Sequence, residues 1–197
     1  MIYLASRSPR RRELLAQIGV RFEPLLFREG SRQDADTDEA VLPGEQPDDY
    51  VRRVTQQKAA AAWQRVTLRR GLQRKPVLVA DTTVALAGEV IAKPAGREDA
   101  VRMLRLLAGT QHRVLTAVAI QLEQRLEMAV SESFVTFGAL DDARIASYVQ
   151  SGEPFDRPAP TASRGAPAPS CSGWRAAIRG SWGCRFTRRP TSCDYSG

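Results

Sequence analysis

The sequence predicts a single α/β domain over residues 1–156, a mixed twisted sheet flanked by helices, followed by a tail of different character over residues 157–197. Three observations carry this reading. Short apolar runs bounded by turn residues alternate with segments of helical periodicity, as layered α/β domains require. The charge divides at one point: residues 1–156 hold 22 Lys and Arg against 21 Asp and Glu, whereas residues 157–197 hold seven Arg and a single acid, Asp194. The tail also holds five prolines and all three cysteines, Cys171, Cys184 and Cys193, and no element can be placed in it.

Taken in order, Ile2-Tyr3-Leu4-Ala5 reads as a short buried strand and Ser6-Arg7-Ser8-Pro9 as the turn after it. Ser8 is placed to cap a helix with Pro9 at its first position, where a missing N–H is harmless. Arg10 to Ile18 then forms the helix, with Leu14, Leu15 and Ile18 as its apolar stripe and Gly19 as its stop. Val20 to Phe27 is strand-like, Arg28 to Pro47 is an acidic loop, and Asp48 to about Arg65 is a helix packed through Tyr50, Val51, Val54 and Ala59 to Ala62. Pro76 to Ala80 is a second buried strand that ends at Asp81-Thr82-Thr83. Val84 to Leu86 and Glu89 to Ile91 make a hairpin around Ala87-Gly88. Glu98 to Leu107 is a helix carrying Val101, Leu104 and Leu107. Val114 to Leu122 and Leu126 to Phe137 are two long strands, and Asp141 caps a short helix to Val149.

Composition removes several function classes. No stretch approaches the roughly 20 apolar residues that span a bilayer, and the run at Ile2 to Ala5 is too short for a signal peptide and is followed, not preceded, by basic residues. The expectation is therefore a cytoplasmic protein that meets no membrane. The formal charge of +7 invites a nucleic-acid partner, but it sits almost wholly in the tail, so no specific nucleic-acid binding is expected of the body. The cysteine spacing is no metal knuckle and His112 is the only histidine, which argues against structural zinc and leaves His112 a structural residue at a strand start.

The chemistry lies in two loops at the carboxyl ends of predicted strands, where open α/β sheets place ligands. Ser6-Arg7-Ser8-Pro9-Arg10-Arg11 joins hydroxyls, a helix N-terminus and guanidinium forks, which makes either an anion cradle for phosphate or a plain capped surface helix. Asp81 ends an apolar strand, and a carboxylate there either holds a divalent cation and activates water or caps a turn. Lys93 beside Pro94 and Glu39 in the acidic loop each have a solvent-facing alternative; Lys58, in an alanine-rich helix and the only lysine before Arg74, belongs to no charged stripe. Together these two cations, two carboxylates and the phosphate loop fit a reaction at a metal–polyphosphate centre.

These residues carry a pattern. Leu4 to Leu15 closely resembles the opening of the Maf family of nucleotide pyrophosphatases. Ala80-Asp81-Thr82 followed by Gly88 to Pro94 resembles its central motif; Leu104 to Val118 matches a third block, and Tyr148 with Glu153-Pro154-Phe155-Asp156 the start of the last. The resemblance covers about residues 1–156. It implies an inosine-triphosphatase-like fold with a cleft for the nucleotide, and cleavage of nucleoside triphosphates between the α and β phosphates with a divalent cation, Mg²⁺ or Mn²⁺. By position, it implies Asp81 as the water-activating or metal-linked carboxylate, Glu39 as a second metal or water ligand, and Ser6, Ser8, Arg10, Lys58 and Lys93 as phosphate-binding groups. Thr82 and Arg10 agree with the dTTP/UTP type; a glutamine after Asp81 would instead indicate the sister type acting on 7-methyl-GTP. Pairing into a homodimer and removal of unwanted nucleotides are further implications.

The resemblance also reinterprets the tail. Its members continue, after an Asp like Asp156, with Lys-Ala-Gly-Ala-Tyr-Gly-Ile-Gln-Gly. Loss of one base in GC-rich codons turns that stretch into Arg-Pro-Ala-Pro-Thr-Ala-Ser-Arg-Gly, which is Arg157 to Gly165 as it stands. The expectation is a frame-shifted remainder of the same domain, lacking the family's specificity glutamine. A nucleotide-binding protein without turnover is the alternative that follows if this loss is decisive.

Overall fold

The computed structural model describes residues 1–25 and 38–150 and the backbone of 179–180. The tail with its frame-shift reading, and the first half of the predicted acidic loop, lie outside the described residues. A seven-stranded mixed sheet forms the centre. In chain order the elements are β1 (Ile2–Leu4), α1 (Pro9–Gln17), β2 (Phe22–Pro24), α2 (Pro47–Leu68), β3 (Val77–Leu86), β4 (Glu89–Ile91), α3 (Arg97–Leu107), β5 (Gln111–Leu122), β6 (Arg125–Thr136), α4 (Asp142–Gln150) and β7 (Arg179–Gly180). The strands run in the order β2-β1-β3-β5-β6-β7, with β4 added to the far half of β3. β1 is parallel to β2 and β3; every other pair is antiparallel. Among the described residues no helix is long and apolar enough to cross a membrane.

Strand alternation sorts the core into two faces. Val77, Val79 and Ala119 share one face and pack against Ala59, Ala62 and Val66 of α2. Further along that face Leu115 and Ala117 meet Val51. Val84 and Val114 point the other way, onto Leu107 of α3 and Phe137, and α3 in turn packs on α4 through Ala100, Leu104, Ile145 and Val149. The small side chains Ala59 and Ala62 let α2 lie close to the sheet. Its start is set by Pro47 in the first turn, beside Asp48 and Asp49, whose charges suit a helix N-terminus.

Four expectations change. β3 does not end at Asp81 but runs on through Thr82-Thr83 to Leu86. β5 supplies a ladder along its whole length, from Val77↔Gln121 to Ala85↔Arg113, and the β-branched pair Thr82-Thr83 suits a strand. The hairpin turn at Ala87 and Gly88 is as expected, with both residues left-handed (φ 52° and 87°), the geometry that fits strand twist. The stripe on α1 is not a buried one: Leu14 and Ile18 are exposed and only Leu15 is half-buried, because no described element covers that side. Ser8 takes the extended cap position, yet its hydroxyl makes no cap bond. The strand predicted over Val20 to Phe27 is confined to Phe22–Pro24 among the described residues.

Candidate active site

The sheet itself opens the site. One edge of β3 is paired by β1 at Val77 and Leu78 and by β4 from Val84 onward. Between them no described strand covers Ala80 to Thr83. β1 ends at the same place, and its chain turns into Ser6 to Pro9 and the N-terminus of α1. Asp81 therefore sits mid-strand, not in a loop, but at the gap where the parallel strand stops.

Asp81 shares a face with Val77 and Val79, the face that α2 covers. The buried stripe of α2 runs through Val51, Val54, Thr55, Ala59, Ala62 and Val66. Lys58 falls within that stripe by helical spacing, which directs its ammonium at the sheet. Lys58 Nζ donates to Asp81 Oδ1 at 2.8 Å and pairs with Glu39 Oε1 at 2.7 Å. Lys93, just beyond β4, reaches Glu39 Oε2 at 3.2 Å. Thr83 donates to Asp81 Oδ2 at 3.4 Å. The two cations and two carboxylates singled out in the sequence thus form one continuous chain, Asp81–Lys58–Glu39–Lys93.

The charges reinforce one another. Burial works against the Lys58 ammonium, but Asp81 and Glu39 more than offset it and raise its pKa above the ordinary lysine value. Burial also opposes ionisation of Glu39, yet the bonds and charges of Lys58 and Lys93 hold it below the usual carboxylate range. Tyr50, beside them, is pushed up by burial and by the charges of Asp81 and Glu39.

On the opposite face lies the Ser6–Pro9 loop. Ser6 Oγ accepts from the Ser8 N–H at 3.3 Å and from Arg11 Nη1 at 3.2 Å. Arg11 Nη2 reaches Thr82 Oγ1 at 3.4 Å, and Thr82 Oγ1 is 3.2 Å from Thr116 Oγ1 across the β3–β5 pair. Burial lowers the Arg11 pKa, with Asp81 opposing. Arg12 turns back to the Arg7 carbonyl at 3.1 Å. Arg10, the arginine expected at phosphate, is exposed at the helix start.

Arg11, part of the Ser6–Arg11 loop but given no role of its own by the sequence, carries a spacing signal. Arg11 and Leu15 are four residues apart and are the only side chains of α1 that turn partly inward. Helical side chains lean over the preceding turn, so Arg11 leans over Ser6. Thr116 could not be found locally, since only the β3–β5 register brings it to Thr82. Tyr50 and Arg53 read as ordinary helix residues; their contacts to the Glu39 loop are long-range.

Among the described residues no group of three His, Cys, Asp or Glu could hold a metal ion by itself. The residues do fit a cation shared with a substrate. Asp81 and Glu39 both touch the one Lys58 ammonium, so they are near enough for a small divalent ion to draw them together. Mg²⁺ typically takes one or two carboxylates and completes its shell with water and phosphate oxygens.

Comparison with known proteins finds relatives over most of the chain. A family model described as Maf-like protein matches residues 1–166. The chain is 52% identical over 156 residues to the dTTP/UTP pyrophosphatase of Dechloromonas aromatica (strain RCB), covering 79% of this chain and 77% of that protein. It is 55% identical over 157 residues to the dTTP/UTP pyrophosphatase of Ralstonia nicotianae (strain ATCC BAA-1114 / GMI1000), covering 79% and 74%. To that of Cupriavidus metallidurans (strain ATCC 43123 / DSM 2839 / NBRC 102507 / CH34) it is 52% identical over 157 residues, covering 80% and 77%.

Proposed function

The chain belongs to the Maf family, and from that premise we propose that it hydrolyses dTTP and UTP to the nucleoside monophosphate and pyrophosphate. The observation that carries this reading is the chain Asp81–Lys58–Glu39–Lys93 set beside Ser6 and Arg11 at the gap in the sheet. The Ser6–Ser8 loop, the N-terminus of α1 and Arg11 take the phosphates. Asp81 orients a water and receives its proton as the water attacks the α-phosphorus. The bond from that phosphorus to the α,β-bridging oxygen breaks, and pyrophosphate leaves. Lys58 and Lys93 face the charge that grows on the leaving group, where a fixed cation lowers the barrier more than one that binds substrate alone. A divalent cation, Mg²⁺ or Mn²⁺, would be held by Asp81 and Glu39 and would supply further charge neutralisation and a more acidic water. Thr82 influences base preference through the Arg11 it positions. Arg10 is exposed at the helix start, and the Ser8 N–H is donated to Ser6 Oγ.

The same reading covers the tail: residues 157–197 are the remainder of this domain translated one base out of frame. It is supported by the similarity to each relative named above, which leaves about a fifth of this chain unmatched. Every residue given a chemical role lies before Asp156.

The test is pyrophosphate release by the purified chain from dTTP, UTP, CTP and 7-methyl-GTP with Mg²⁺ or Mn²⁺. The expected result is cleavage of dTTP and UTP that stops on chelation. Asp81→Asn should lower the rate by about 10²–10⁴-fold, the range for loss of a general base. Nucleotide that binds without being cleaved would instead select the binding-only alternative.

A further inference from the structure

The loop carrying Glu39 is fastened to α2 one carbonyl at a time. Arg53 Nη1 donates to the Asp38 carbonyl at 3.1 Å and Arg53 Nη2 to the Ala40 carbonyl at 2.8 Å. The carbonyl between them, that of Glu39 itself, accepts from the Tyr50 hydroxyl at 3.0 Å. The same guanidinium forms a two-pronged pair with Glu45, Nε to Oε1 at 2.6 Å and Nη2 to Oε2 at 2.8 Å. Glu45 Oε2 then takes the Leu42 N–H at 3.0 Å, so both ends of residues 38–45 are tied to one arginine. The Arg53 guanidinium lies over the Tyr50 ring, 5.5 Å from its centre, a cation–π contact between the two residues that hold the loop.

Tyr50, Arg53 and Lys58 all belong to α2. One rigid element therefore holds Lys58 directly and Glu39 through three successive backbone carbonyls. We propose that Arg53 and Tyr50 are positioning residues that set the Glu39 carboxylate between Lys58 and Lys93, and thereby set the affinity of the site for the divalent cation of its substrate. A carboxylate on an untied loop would have to be ordered each time the cation binds, and that ordering weakens binding. This proposal rests on the role given to Glu39 under Proposed function.

The test is a double-mutant cycle on the full chain with two readouts. One is Mn²⁺ affinity, from the electron paramagnetic resonance signal of free Mn²⁺ in the presence of the α,β-methylene analogue of dTTP. The other is kcat and KM for dTTP. Tyr50→Phe removes only a hydroxyl, and Arg53→Lys keeps the charge opposite Glu45 but not the fork that spans its acceptors. Both should weaken Mn²⁺ binding by about 10–100-fold, the range for groups that orient a metal ligand. Both should lower kcat, with KM at saturating Mn²⁺ little changed. Glu39→Gln should weaken Mn²⁺ at least as much, and adding Arg53→Lys to Glu39→Gln should do nothing more. Additive losses, a lowered Tm with unchanged Mn²⁺ affinity, or no Mn²⁺ binding by the parent chain would overturn the proposal. If Asp81→Asn abolishes turnover while the cycle is additive, the positioning role fails and the pyrophosphatase reading stands. If Asp81→Asn turns over normally, that reading fails by itself.

Discussion

Three adjacent arginines show how little residue type says at a helix start. Arg10, Arg11 and Arg12 follow Pro9, and the structure sends the first to solvent, the second to Ser6 and Thr82, and the third to the Arg7 carbonyl. A step of about 100° per residue separates their directions. Only Arg11 is buried enough to lose much of its water, so its bonds to an incoming phosphate replace hydration that is already gone. Arg11→Ala should raise KM for dTTP by about 10–100-fold, the worth of a hydrogen bond to a charged group. Arg10→Ala should change it less than about twofold. Initial-rate kinetics on the two variants decide the matter, and equal effects would mean that the phosphates lie over the outer face of the helix.

At the scale of elements, the seam between β5 and α3 holds a residue with a pH signature. His112 is 2% exposed, its Nδ1 has no partner among the described residues, and its ring meets Phe137 edge-on at 4.8 Å. Burial lowers its pKa from 6.5, with the Thr110 backbone opposing. Below about pH 6.5 the unfolded chain takes a proton that the folded one refuses, so stability is full above that pH and falls as pH drops toward the lowered value. Glu39, also lowered, keeps its contribution above the ordinary carboxylate pKa and loses it as pH falls further. Urea unfolding should show less stability at pH 5.5 than at pH 7.5, and His112→Leu should remove that difference. A slope that survives the substitution would assign it elsewhere. The structural role read for the only histidine agrees with this packing.

For the whole molecule, the two faces of the sheet are unequal. α2 seals one, while Val118, Ile120 and Leu122 on the other remain more than a third exposed, and Leu14 and Ile18 of α1 are open as well. Among the described residues nothing covers them. The frame-shift proposal would account for such a surface, since apolar residues meant for it would be replaced by the arginines, prolines and serines of the tail. Restoring the reading frame after Asp156 should therefore raise Tm by about 10 °C or more, as burial worth a few kcal/mol would in a domain of this size. It should also sharpen the preference for dTTP and UTP. Calorimetry that finds the same Tm for both chains would count against the frame shift.

The sequence by itself determined the α/β class, nearly every helix and strand, and six residues that the fold brings together: Ser6, Glu39, Lys58, Asp81, Thr82 and Lys93. It could do so because hydrophobic periodicity is local, and because residues that share a substrate form motifs legible one by one. Tertiary structure decided three things. It carried β3 straight through Asp81, because β5, more than 30 residues away, offers the ladder. It chose Arg11 over Arg10, because the position of α1 over Ser6 brings the Arg11 guanidinium to that hydroxyl. It made Lys58 the hub of the site, because a lysine within an alanine-rich stripe acquires two carboxylate partners only when α2 lies on the sheet and its own Arg53 and Tyr50 hold the loop of Glu39. Each of these depends on pairings between distant segments, and the free energy of such pairings is written in no single stretch of chain.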